Sequence, residues 1–218
     1  LVPEDTNNVS DVFVRDRVAG TTTRVSVDSA GSEGDQMCDS TAITPDGRYV
    51  AFWSHATNLV AGDTNGFWDV FRHDRATGIT TRVSVDSAGN QMDAEDIRTW
   101  MRPAISADGR YVAFGAEAAN MVTGDTNGVA DIFVRDVVAG TTERVSIDGA
   151  GAQGDGASEY PAISADGRYV AFHSEAPNLV AGDTNGAWDV FVHDRTTGST
   201  TRVSVDSAGN QRAWSFNP

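Results

Sequence analysis

The sequence predicts an all-β chain built from about four tandem copies of one small antiparallel sheet, and three refrains predict it. The first is Ala-Asp-Gly-Arg-Tyr-Val-Ala-Phe at 107–114 and 165–172, with Pro45 replacing the alanine at 45–52. The second is Asp-Thr-Asn-Gly-x-x-Asp at 63–69, 125–131 and 183–189, and a copy at 5–11 carries Asn8 in place of glycine. The third, Arg-Val-Ser-Val-Asp-Ser-Ala-Gly, starts at Arg24, Arg82 and Arg202, and at Arg144 in a variant with Ile147 and Gly149. These starts stand 58, 62 and 58 residues apart, the extra four lying between Gly89 and Gly109. Self-similarity at such a period marks stacked supersecondary units, none of which buries its apolar face alone.

Each element follows from local chemistry. In the copy that begins near 158, Pro161 to Ser164 is a short apolar run, and Ala165-Asp-Gly167 is a turn. Arg168 to His173 is rich in aromatic and β-branched residues and reads as a strand. Asn178 to Gly186 carries Gly and Asn turn signals, and Asp189 to Asp194 alternates as a second clear strand. After the turn Thr196-Thr-Gly-Ser-Thr200, the stretch Thr201 to Asp206 alternates again and places Val203 and Val205 on one face. No helical period appears. Four short strands per unit, a to d, joined by Gly, Asp and Asn turns, describe a propeller blade.

Ile-Ser-Ala-Asp-Gly-Arg-Tyr-Val-Ala-Phe, then Asp-Val-Phe-Val-x-Asp, then Thr-Gly-x-Thr-Thr-Arg-Val-Ser resembles the TolB-type, WD40-like β-propeller repeat over essentially the whole chain. Two departures are the longer b–c connection holding Asp-Thr-Asn-Gly, and Ala107 and Ala165 where that family usually has proline. The resemblance implies a β-propeller or partial propeller of about four repeats, approximately 1–58, 59–120, 121–178 and 179–218, in one domain. The phase gives strands c and d of one blade, three full blades, and a last segment, Trp214-Ser-Phe216, as an a-like strand. Either the closing blade is defective, or the chain is part of a larger ring completed by further sequence or by a second copy, a homo-oligomer. Because Leu1-Val2 aligns with Leu59-Val60 and Leu179-Val180, the start is expected to be a processing boundary.

Composition narrows the function. All 16 basic residues are arginine, against 31 Asp plus Glu, so the net charge of −15 repels phosphate backbones and argues against nucleic acid. Hydrophobic content of 39 %, with 9 Phe and 5 Trp, suffices for a core. The lone Cys38 excludes an internal disulfide framework. No stretch approaches the roughly 20 apolar residues of a membrane span.

The leading chemical candidate is the second refrain. Two carboxylates and an amide oxygen around a glycine turn suit a hard cation, so Asp5, Asn7, Asp11, Asp63, Asn65, Asp69, Asp125, Asn127, Asp131, Asp183, Asn185 and Asp189 are candidate calcium ligands. The refrain resembles the later half of the calcium loops of EF-hands and integrin-type propellers. The ligand position two residues earlier holds Pro3, Ala61, Thr123 and Ala181, so the set is incomplete. The competing reading is a side-chain-capped turn leading into strand c, and it is the favoured one. The acid pairs Asp28 with Asp35, Asp86 with Asp93 and Asp148 with Asp155 read as solvated loop acids. Gly149-Ala-Gly-Ala-Gln-Gly154 matches a dinucleotide fingerprint but lacks the following helix that chemistry needs.

Ligand-binding candidates are Trp68 and Trp188, at one repeat position, and Trp100 and Arg102, in the lengthened segment 90–102 near Trp53. His73 and His193 stand where other copies have Arg15 and Arg135, which predicts an exposed polar position. No Ser, His and Asp are placed as a triad. The reading leans away from an enzyme and toward a secreted or periplasmic binding or scaffold module with a protein or glycan ligand, for which calcium in the Asp-Thr-Asn-Gly loops is a candidate stabiliser. The alternative is a lectin, or a carbohydrate-active hydrolase or lyase.

Overall fold

The computed structural model describes residues 2, 3, 5–93 and 102–211. Within them the chain forms fourteen strands and no helix. β1 (Phe13–Asp16) and β2 (Thr21–Arg24) make a two-stranded half-blade. β3 (Cys38–Ile43), β4 (Tyr49–Ser54), β5 (Asp69–Asp74) and β6 (Ile79–Arg82) form the second blade in chain order. The third blade is β7 (Ala104–Ile105), β8 (Tyr111–Ala116), β9 (Asp131–Asp136) and β10 (Thr141–Arg144). The fourth is β11 (Ser158–Ile163), β12 (Tyr169–Ser174), β13 (Asp189–Asp194) and β14 (Ser199–Arg202). All pairings are antiparallel, so the predicted phase of c, d and three full blades holds. Trp214-Ser-Phe216, Trp100 and Leu1 lie outside the described residues.

The refrains explain the ladders. In Ala-Asp-Gly-Arg, the Asp108 carboxylate accepts from the Arg110 amide at 3.0 Å and from the Ser106 hydroxyl at 2.6 Å, which closes the a–b turn. Strand d is shorter than the alternation predicted: β14 ends at Arg202, where Thr201 to Asp206 was expected. The cause is a hydroxyl. Ser204 Oγ accepts the Val190 amide at 3.1 Å, as Ser84 Oγ accepts Val70 at 3.0 Å, so a side chain replaces the next ladder carbonyl.

Cores lie between blades, because each sheet is apolar on both faces. Val12 and Val25 of the half-blade meet Val50, Phe52 and Phe71. Ala51, Val70 and Val83 of the second blade meet Val112, Phe114 and Phe133 of the third. Ala113, Ile132, Val134 and Val145 meet Val170, Phe172 and Phe191 of the fourth. Six of these phenylalanines are fully enclosed and pair between strands b and c, at centroid distances of 6.0, 5.9 and 6.0 Å. Each such ring contributes about 1.5–3 kcal/mol by burial. Threonine bonds reinforce the stacking: Thr80 Oγ1 donates to Val27 O and Thr142 Oγ1 to Val85 O, each at 2.5 Å.

His73 and His193 correct the expectation of an exposed position. Both are buried, 6 % and 4 % exposed, and each Nδ1 lies 2.9 Å from a threonine hydroxyl, Thr80 or Thr200. Burial pushes both imidazoles toward the neutral form. The position is polar because it feeds the inter-blade hydroxyl, not because it faces water.

Candidate functional site

Two places gather chemistry: the four Asp-x-Asn-Gly-x-x-Asp turns, and the inner strands. In each turn the arginine that opens the third refrain enters between the two aspartates. Arg82 Nη1 stands 3.1 Å from Asp63 Oδ1 and 3.4 Å from Asp69 Oδ2, and donates to Gln91 Oε1 at 2.7 Å. Arg144 repeats this with Asp125 at 3.5 Å, Asp131 at 3.1 Å and Gln153 at 2.9 Å. Arg202 lies 3.0 Å from Asp183 and 3.7 Å from Asp189. In the first turn Arg24 faces Asp5 at 3.6 Å and Asp11 at 3.4 Å, and Glu33 replaces the glutamine at 2.6 Å.

The second aspartate of each turn also accepts a serine hydroxyl, from Ser26, Ser84, Ser146 or Ser204. These acids are buried, and burial raises the pKa of Asp63, Asp69, Asp125 and Asp131, the last to about 6. Arginine opposes that shift without cancelling it.

The donor set does not fit calcium as it stands. Asn65 Oδ1 accepts the Phe67 amide at 3.2 Å, while its Nδ2 donates to Asp69 at 3.2 Å and to Met92 O at 3.4 Å. Asn185 does the same with Ala187 and Asp189, at 3.0 and 2.9 Å. The amide thus turns a donor, not an oxygen, toward the carboxylates, and a guanidinium occupies the space between them. Among the described residues, Asp5, Asp11 and Glu33 form a three-carboxylate group, with ligand atoms within 4.8 Å of one another, and it too surrounds an arginine. The d–a loop acids are not paired: Asp28 Oδ1 caps the Ala30 and Ser32 amides at 2.8 Å, while Asp35 accepts the Thr57 amide at 2.8 Å.

The inner strands differ from copy to copy. β7 lies against both β3 and β11, so these three strands face the axis. β3 and β11 each carry a bulge, between Asp39 and Thr41 and between Glu159 and Ala162. Ser40 and Tyr160 there adopt φ of 43° and 54°. A non-glycine residue held left-handed is a strained conformation that clusters at functional positions. Register places Arg102 at the same point, two residues before Ala104 as Ser40 precedes Ala42 and Tyr160 precedes Ala162. Arg102 is exposed and lines a cleft of about 370 Å³ with Asp39, Ser40 and Thr41. Tyr160 stacks against His173 at 5.5 Å.

Solved structures share this arrangement. TolB from Acinetobacter baumannii superimposes with a TM-score of 0.53 at 18 % identity, over 92 % of this chain and 39 % of that one. The fold is a TolB-like β-propeller. The tricorn protease gives a TM-score of 0.53 at 13 % identity over 92 % of this chain and 20 % of its own, and a prolyl endopeptidase gives 0.51 at 14 % over 91 % and 26 %. The chain therefore spans two fifths or less of the length of these proteins. No protein-family model and no curated protein matches the sequence.

In this propeller the tryptophan candidates part ways. Trp68 and Trp188 are half-buried and pack on the core between the second and third blades. Trp68 also keeps a face toward a small cleft with Val9, Gln36, Met37 and His55, its ring 5.8 Å from the histidine. Trp100 lies outside the described residues, and Arg102 joins the inner-strand cleft. Sequence reasoning missed the four arginines as partners of the turns. The available signal was that both refrains occur four times in step. It also missed Asp39, Ser40, Glu159 and Tyr160, which were visible as the one stretch where the inner-strand copies disagree.

Proposed function

We propose that this TolB-like propeller is a non-catalytic binding module that takes a protein ligand at an axial mouth formed by Asp39, Ser40, Arg102 and Tyr160. The observation that carries the reading is internal asymmetry. The acids and arginines shared by the three full blades are consumed in pairing within those blades, so they explain the scaffold. Cys-Asp-Ser-Thr at 38–41, Trp-Met-Arg-Pro at 100–103 and Ser-Glu-Tyr-Pro at 158–161 differ, although the strands after them are nearly identical. A ring of identical blades has no preferred ligand orientation; variation at the axis supplies one. A mixed set of acid, guanidinium and phenol suits a polar polypeptide surface. No helix among the described residues is long and apolar enough to cross a membrane. We place the module in the periplasm or outside the cell, on the strength of the shared TolB fold.

We read the four aspartate turns as arginine-held structural elements in place of calcium sites. The guanidinium supplies the countercharge that a bound ion otherwise provides. The half-buried Trp68 beside His55 favours a second reading, a glycan platform at the small cleft those two side chains line. Peptide and glycan libraries screened by equilibrium binding test both. Binders that weaken with Arg102→Ala and Tyr160→Ala support the axial mouth, and glycan binders that weaken only with Trp68→Ala support the second reading. Ligands indifferent to all three substitutions, or turned over by the protein, overturn the proposal.

A further inference from the structure

We propose that the small cleft between the half-blade and the second blade binds a soft monovalent metal ion, copper(I), held by the thioether of Met37 and the imidazole of His55 beside the indole of Trp68. These residues form one row across three strands. β3 and β4 pair Cys38 with Ser54, and β4 and β5 pair Ser54 with Asp69. One step beyond that ladder, Met37 stands opposite His55 and His55 opposite Trp68, and the His55 amide donates to Met37 O at 3.0 Å. Directly opposed residues share a sheet face, with their Cβ atoms about 4.5–5.5 Å apart. All three line one cleft of about 230 Å³ with Val9 and Gln36, and the His55 and Trp68 rings lie 5.8 Å apart.

The other copies show that the fold does not require this row. In the fourth blade the same positions hold Ala157, Glu175 and Trp188, and the third blade has Glu117 and Ala130 for the histidine and the tryptophan. Ala157 is buried, 7 % exposed, whereas Met37 is 47 % exposed and gains little from packing. His73 and His193 each bond a threonine hydroxyl, but among the described residues no hydrogen bond holds a ring nitrogen of His55. Its imidazole is therefore free to ligate.

The donor set selects the ion. Thioether and imidazole suit copper(I), whereas hard cations take carboxylates and carbonyls. In a chain with 31 acids, no carboxylate lines this cleft. Zinc takes a full tetrahedral set, more than the row provides. The indole adds what a low-coordinate cation lacks, because a positive charge within about 6 Å of its face is attracted by the ring quadrupole. Cys38, next in sequence, is not a ligand: it is 1 % exposed, burial pushes its thiol up to about 11, and it lines the other cleft. A glycan platform uses the indole alone and survives loss of the thioether, whereas the metal site does not.

The test titrates silver(I), a redox-inert stand-in for copper(I), into the full chain in chloride-free buffer. Binding is read from the NMR signals of isotope-labelled methionine methyl groups and from tryptophan fluorescence. The chain has four methionines, of which Met92 and Met121 are buried. The Met37 methyl, identified by its loss in Met37→Leu, is expected to shift saturably while indole fluorescence is quenched. Met37→Leu abolishes the quenching, and His55→Gln weakens binding by about tenfold or more, since losing even a ligand's supporting partner costs that much. Cys38→Ser leaves binding unchanged, and zinc and calcium leave the methyl unshifted. Met37 is exposed and His55 half-buried, so both variants are expected to melt as the wild type does. An unmoved Met37 methyl, quenching that persists in Met37→Leu, undiminished affinity in His55→Gln, or binding lost with Cys38→Ser overturns the proposal.

Discussion

Gly47, Gly109 and Gly167 occupy one position in the same Asp-Gly-Arg turn, with φ of +73°, +72° and +74°, yet alanine at the three is expected to cost very different amounts. The left-handed backbone is common to all and penalises a Cβ by about 1–2 kcal/mol. Space is not common. A Cβ on Gly109 would stand 2.2 Å from Cδ2 of Tyr49, and one on Gly167 would stand 2.1 Å from Cδ2 of Tyr111. At Gly47 the nearest atom is Arg75 Nη1 at 3.5 Å, because no tyrosine of a preceding full blade lies there. Each tyrosine is already engaged by two guanidinium groups, Tyr49 by Arg48 and Arg72 at 4.7 and 4.8 Å and Tyr111 by Arg110 and Arg195 at 4.9 and 4.3 Å, so moving aside disturbs those contacts. Overpacking adds about 1–3 kcal/mol at those two sites only. Gly47→Ala should thus cost about 1–2 kcal/mol, and Gly109→Ala and Gly167→Ala about 2–5 kcal/mol. For a chain of this size, each kcal/mol lowers the melting temperature by about 2–4 °C. Thermal melts followed by circular dichroism measure the three variants side by side. Adding Tyr49→Ala to Gly109→Ala should recover part of the loss, a coupling that a purely backbone effect does not give. Equal losses at all three glycines would refute the reasoning.

Arg144→Met leaves Asp125 and Asp131, whose side chains are 2 % and 0 % exposed, without their cation, and should destabilise by about 3–5 kcal/mol. The wild-type melt should be the same in calcium and in chelator; a calcium-dependent rise would show that an ion competes with the guanidinium. The carboxylates divide stability by pH. Asp131, raised to about 6, binds a proton in the folded state that the unfolded chain releases near 4, so its contribution is present at low pH and fades between about 4 and 6. Asp63, Asp69 and Asp125 shift in the same direction. Asp74 and Asp194, held well below the usual range chiefly by hydrogen bonds from Arg48 and Arg168, contribute above the ordinary carboxylate range and lose that contribution as the pH falls. Melting temperature should therefore decline as pH rises from about 4 to 6 and decline again in stronger acid. Asp131→Asn should flatten the first slope, and a wild-type melt that rises steadily from pH 4 to 6 would contradict the burial of these acids.

Much of the architecture was legible because its causes are local. Asp166-Gly167-Arg168 forms a turn from its own side chain and glycine, and Asp189 to Asp194 alternates because both faces of a blade meet neighbours. The aspartate turns were legible as turns, but their countercharge was not. Arg82 follows Asp63 at a distance in sequence that no local spacing rule addresses, and only the c–d hairpin brings them together. The histidines misled for a similar reason: interchange with arginine suggests water, whereas Thr80 and Thr200 supply a buried polar partner. The candidate site was legible only in part. Arg102 was singled out, while Asp39 and Tyr160 acquire meaning once β3, β7 and β11 are seen to share an axis.

By itself the sequence determined the strands, the turns, the phase of the repeat and the number of full blades, since period, alternation and turn chemistry act over a few residues. Tertiary structure decided which of several identical residues does what. Gly109 lies beneath a tyrosine and Gly47 does not; Asp74 is clasped by an arginine and Asp16 is not. A stack of equal units still has ends and an axis, and contacts between segments some sixty residues apart in sequence give the same side chain a different environment in each copy.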